Sequence, residues 1–223
     1  MSRIAFAARS KNTRGKVFAL LSGGLILGLG ATATLASWND SEWVNGGVDA
    51  STSGVILSTF QVQQNRGTGW SDFDTTPGGS HAFTAPTTGL TPGDAAYTQV
   101  SLRTTSDSIA GTVELQAGAA DTSGAFPATD SALWSALRLR VVVTTGAPGA
   151  CALASFAPGA TFVVGDATSG VAMSTAGSLT RSLSAAGANQ QNYCFQLLLP
   201  TGSSSSLMGM EASPVWQFVS TSN

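Results

Sequence analysis

"AAYTQVSLRTT", residues Ala95–Thr105, alternates in type along its length. Thr98, Val100 and Leu102 fall on one side of an extended chain, and Tyr97, Gln99, Ser101 and Arg103 on the other. A period of two is the mark of a half-buried strand, because successive side chains leave a pleated backbone on opposite faces. The same period runs through "SIAGTVELQA" (Ser108–Ala117), which puts Ile109, Gly111, Val113 and Leu115 together. It opens "LRLRVVVTT" (Leu137–Thr145), where Leu137, Leu139 and Val141 oppose Arg138 and Arg140. "VILSTFQVQ" (Val55–Gln63), "ATFVVG", "AGSLTRSLSA", "QNYCFQLLLP" and "PVWQFVSTS" are further strand runs, separated by turn clusters such as "TTPGGS", "LTPGDA" and "TGAPGA". "TDSALWSAL" (Thr129–Leu137) predicts one short helix, with Thr129, Asp130 or Ser131 as its cap and Leu133, Trp134 and Leu137 at helical spacing. Many short strands with one helix predict an all-β fold, an antiparallel β-sandwich of jelly-roll type or a related one.

The chain ahead of this body has a different character. Residues 1–16 carry Arg3, Arg9, Lys11, Arg14 and Lys16 and no acid, and Val17–Ala36 carries no charge. A basic start, an apolar core and small residues at Ala31-Thr32-Ala33 and Thr34-Leu35-Ala36 match a secretory signal peptide. Cleavage is expected between Ala36 and Ser37, giving a leader over 1–36 and one β-sandwich domain over 37–223. An uncleaved membrane anchor is the other reading of so long an apolar run, and the leader is then the only part that touches a membrane.

After that cut, five arginines face twelve carboxylates, a net of −7, and no lysine remains. Such a surface is a poor partner for nucleic acid or for an anionic membrane, both of which call for clustered Lys and Arg. The 187 remaining residues suffice for one core. Cys151 and Cys194 are the only cysteines. In an exported chain an even pair points to a disulfide, and neither a CxxC spacing nor a nearby histidine favours a metal site or a catalytic thiol.

Three stretches resemble the TasA/camelysin family of proteins exported by Gram-positive bacteria. "ATATLASWNDSEW" followed by "VNGGVDAST" is similar to that family's export signal and first mature segment, with Trp38, Asn39 and Asp40 at the aromatic-Asn-Asp position and Val44–Ala50 at the short strand that follows. "GLTPGDAAYTQVSLRTTSDSIAGTVEL" (Gly89–Leu115) resembles its L-x-PGD turn, here Pro92, Gly93 and Asp94. "EASPVWQFVST" (Glu211–Thr221) resembles its last strand. The cysteine pair and the missing lysine depart from the fibre-forming members. The resemblance implies processing by a SipW-type signal peptidase and a jelly-roll subunit of biofilm matrix or cell-surface fibres that self-associates into filaments. There the freed N-terminal segment, Ser37–Ser51 with Trp38, Asn39, Asp40, Trp43, Val44 and Val48, would add as a strand to the next copy. The same segment can instead fold back as the first strand of its own sheet.

Motifs for chemistry are sparse. His81, the one histidine, lacks a second histidine at metalloprotease spacing, and no G-x-S-x-G elbow accompanies it. Asp72 and Asp74 in "SDFD" can offer two oxygens to calcium or simply sit in a solvated turn. "LPTG" (Leu199–Gly202) falls one residue short of a sortase signal, with no apolar tail behind it. No cofactor and no enzymatic activity are expected. Two rivals to a fibre subunit remain. One is a monomeric secreted adhesion or binding module, whose mark is an N-terminal segment paired within its own chain. The other is a secreted hydrolase, which would depend on His81.

Overall fold

The computed structural model describes residues 58–67, 69–73, 75–86, 89–145 and 150–223, and the backbone of 39–42. Two antiparallel sheets face each other. One has four strands in the order β1 (Asn39–Glu42), β13 (Phe218–Ser222), β5 (Gly111–Leu115), β10 (Thr180–Leu183). The other runs β3 (Trp70–Ser71), β2 (Val62–Asn65), β4 (Ala95–Thr104), β11 (Gln191–Leu198), β7 (Arg138–Thr144), β8 (Thr161–Val164), and β9 (Val171–Ala172) also pairs with β7. A two-stranded patch joins β6 (Ala119–Ala120) to β12 (Pro214–Val215). The only α-helix among the described residues is α1 (Ser131–Ala136). The described residues form an all-β sandwich with one short helix, as the alternation predicts.

The core lies where the inward faces meet. Val100 and Leu102 of β4, Leu139 and Val141 of β7, and Tyr193, Phe195 and Leu197 of β11 pack with Val113 and Leu115 of β5 and Leu183 of β10. Aromatic rings bridge the layers: Tyr193 and Phe218 lie 4.8 Å apart between centroids, and Phe195 and Trp216 lie 5.0 Å apart. Offset, tilted rings at these distances add to the area they bury.

Strand β11 is the centre of the larger sheet. It pairs with β4 from Gln191↔Leu102 to Leu198↔Ala95 and with β7 from Asn192↔Thr144 to Leu198↔Arg138. It is buried on both faces, because the segment after β7 crosses its outer side. There Cys151 and Cys194 form the expected disulfide, and Phe156, Phe162 and Tyr97 pack around it. This cover also buries Arg140, on the face opposite Leu139. Arg140 is only 8% exposed. Its guanidinium donates to the carbonyls of Phe156, Asp166 and Ala167 and to Gln196 Oε1, and it lies over the Phe156 ring. A buried charge persists only when its donors are met in this way.

Helix α1 is also shorter than Thr129–Leu137, and no side chain caps its start. The expected caps are engaged elsewhere. Asp130 Oδ2 accepts from the Glu211 N–H and Thr129 Oγ1 from the Ser213 N–H, tying the helix to the segment ahead of β12. Likewise "VILSTFQVQ" becomes a strand only from Val62, with Thr59 making an isolated bridge to Ser108; Val55–Leu57 lie outside the described residues.

Candidate functional site at a sheet edge

Strand β1 is the one part of the predicted assembly segment that is described. Its backbone pairs antiparallel with β13: Asn39↔Thr221, Asp40↔Ser220, Ser41↔Val219 and Glu42↔Phe218. So Asn39 and Asp40 fold back onto their own chain, the arrangement named above for a monomeric module. Ala36, Ser37, Trp38, Trp43, Val44 and Val48 lie outside the described residues.

The position of β1 follows from what β13 offers. On one side β13 is fixed to β5 by five pairs, from Phe218↔Leu115 to Ser222↔Gly111. Gly111 makes this close approach possible. A Cβ there would come within 2.4 Å of the Thr221 carbonyl oxygen and of the Phe60 ring. The other side of β13 is an open ladder, and unpaired N–H and C=O groups along a strand recruit another strand. β1 fills it over four residues. At a net 0.5–1.5 kcal/mol per hydrogen bond, so short a ladder contributes only a few kcal/mol.

Other edges are closed by side chains. On β10 the Ser182 carbonyl accepts from both Asn189 Nδ2 (3.1 Å) and Gln191 Nε2 (2.8 Å), and Asn189 Oδ1 takes the Ser184 N–H at 2.6 Å. On β8 the Val163 carbonyl is taken by the N–H and hydroxyl of Ser178. β3 is two residues long, and Arg103 stacks over its Trp70 ring at 4.1 Å. Side-chain capping and brevity are ordinary devices against edge-to-edge pairing. Asn189, Gln191 and Ser178 carry no motif in the sequence, and Gly111 was placed on a strand face without its close approach being visible. The amides in "GANQQN" and the glycine inside a strand pattern were the available signals.

A scan of protein-family models and a search of curated proteins gave no match to this chain. The functional reading therefore rests on the residues.

The remaining predicted positions are structural in their contacts. Gly93, at φ +100°, sends its N–H to the Leu199 carbonyl at 2.7 Å, and the Leu199 N–H returns to the Asp94 carbonyl. Asp94 Oδ2 accepts from the Thr91 hydroxyl and N–H, which hold its carboxyl below the usual range. The Pro92-Gly93-Asp94 turn thus starts β4 and stitches it to the end of β11. Asp72 Oδ2 takes the Gln61 side-chain amide at 2.7 Å, and burial pushes its carboxyl up. Asp74 lies outside the described residues, and among the described residues no group of three or more His, Cys, Asp or Glu side chains comes together.

His81 is partly buried between the sheets. Its Nε2 lies 2.9 Å from Gln64 Oε1, and the Gln99 backbone also bonds the ring. Burial, aided by Arg66, pushes its pKa down to about 4, so the ring is neutral at pH 7. No described helix is long and apolar enough to cross a membrane.

Proposed function

We propose that the chain is an exported, non-enzymatic structural subunit of extracellular matrix or cell-surface fibres, joined by exchange of its N-terminal strand. The observation that carries this reading is the β13 edge: a five-residue acceptor, covered among the described residues only by a short strand next to the predicted cleavage site, in a sandwich whose other edges are capped or brief. Within a single chain, only its own residues can fill that edge. A neighbour's Asn39–Glu42 would make the same four pairs, so exchange costs little in ladder energy and its balance is set by concentration and by linker entropy. Such a head-to-tail contact grows into a filament wherever its rotation does not close.

The export signal, the disulfide and the resemblance to the TasA/camelysin family support an extracellular location, release by a SipW-type peptidase, and the jelly-roll connection of the strands. Cleavage after Ala36 would act as the switch, because it frees the strand to leave. The self-pairing of β1 favours a second reading, a monomeric adhesion or binding module whose first strand stays at home.

Negative-stain electron microscopy separates the two. Protein beginning at Ser37 should form filaments, and protein lacking Ser37–Ser51 should stay monomeric. Monodisperse particles from both, across concentration and pH, would leave the module as the better account.

A further inference from the structure

Between the sheets, beside the β12–β13 junction, lies a cavity of about 290 Å³. Six rings contribute to its walls: Phe73, Phe83, Phe126, Phe195, Trp216 and Phe218. Gln64, Ser80, His81, Thr98 and Ser213 add polar groups to the lining, and Gln64 and His81 are bonded to each other. The roof over it is fixed in place. Arg66 Nη1 donates to the Ser80 carbonyl, Thr98 Oγ1 donates to the Ala82 carbonyl at 3.0 Å, and Thr84 bridges to Tyr97. Gly79 sits so close under Arg66 and Phe73 that a Cβ would lie 2.9 Å from each. A core closed to ligands gains nothing from a glutamine and a histidine on its inner side, since polar groups are costly in an apolar interior. One end of the Gln64 amide is bonded to His81, and no other bond to it occurs among the described residues.

We infer that this cavity is a binding site for one uncharged aromatic ring system of about indole size, with a polar atom turned towards Gln64. Its volume falls at the small end of ligand pockets, about 300 Å³, which suits one or two rings. The six rings take a flat ligand by tilted and offset contacts, and the Gln64–His81 pair sets its orientation. Such a ring has two possible sources. One is a free small aromatic compound. The other is a tryptophan of this chain's segment 37–51, which carries Trp38 and Trp43 and whose paired part ends at Glu42 opposite Phe218, a wall of the cavity. The inference holds whether or not the chain polymerises.

The test is a titration with indole, followed on the Trp216 indole N–H resonance, in protein from Ser37 and in its Trp38→Ala/Trp43→Ala variant. A saturable shift in both, with a Kd below about 1 mM, assigns the site to a free compound. A shift only in the double variant assigns it to the chain's own tryptophan. Ala212→Phe, which fills the cavity, should abolish the shift. Gln64→Leu should weaken indole severalfold while leaving toluene unchanged, and it keeps the test open should Ala212→Phe fail to fold. Absence of a saturable shift in either protein at unchanged melting temperature, or binding indifferent to both Ala212→Phe and Gln64→Leu, overturns the inference. Neither result depends on whether filaments form.

Discussion

The two sheets solve the problem of their edges differently. In the seven-stranded sheet, β11 sits between β4 and β7, buried on both faces and tied through Cys194 to the segment that covers it. β11 cannot leave that sheet without breaking the disulfide and the core. The four-stranded sheet is centred on β13 and β5 and has two outermost strands of four pairs each, β10, whose outer side carries the Asn189 and Gln191 amides, and β1. The contrast teaches that one layer is closed around a cross-linked central strand and that the other ends in a strand held by four backbone pairs, the place where the proposed exchange would act.

The largest expected effect tests the cross-linked layer. Cys151→Ser with Cys194→Ser removes a cross-link between residues 43 apart, for which chain entropy gives about 4 kcal/mol. Urea unfolding should show most of that loss, while hydrogen exchange at Phe218–Ser222 rises no more than the global change requires. A selective loosening of β13 would break the proposed division between the layers.

Acid tests the seam between them. His81, lowered to about 4 when folded against an ordinary 6.5, takes up its proton first in the unfolded chain. Its contribution is therefore complete above about pH 6.5, drains away as pH falls to about 4, and changes no further below. The full shift corresponds to about 3 kcal/mol, and partial exposure of the ring reduces this to about 2 kcal/mol. His81→Gln should flatten that part of the stability–pH curve. An unchanged slope would remove His81 from the account.

In the smaller sheet, Gly111→Ala pushes a methyl group against the Thr221 carbonyl and Phe60, costing about 2 kcal/mol by overpacking. It should speed exchange at β13 more than at β11, the reverse of the cysteine variant. The smallest effect belongs to the capped edge. Asn189→Ala uncovers part of β10 and should cost about 1 kcal/mol while raising lateral association in sedimentation velocity. No change in association would mean that the amides are not what protects this edge.

Much of this division was legible in the sequence. Period-two runs located β4, β5 and β7 and named their inner faces, because one side of each packs on the core. The two-cysteine count, with no competing ligand spacing, pointed to the disulfide. Arg140 and β11 were not legible in the same way. Their outer faces are covered by residues 151–167, and alternation says nothing about what a distant segment will bury. The β1–β13 edge was half legible. The segment Ser37–Ser51 was expected to pair as a strand, and Asn39–Glu42 does so within its own chain, but an open edge is defined by which neighbours are missing. Side chains such as Asn189 and Ser178, which close the other edges, become visible only in three dimensions.

The most direct test of strand exchange uses the register itself. Ser41 stands opposite Val219, a spacing that a disulfide can bridge in an antiparallel pair. Ser41→Cys with Val219→Cys, in protein beginning at Ser37, is oxidised at high concentration and run under denaturing, non-reducing conditions. Exchange predicts a ladder of covalent oligomers that collapses on reduction. A single band of internally linked monomer at every concentration would contradict it.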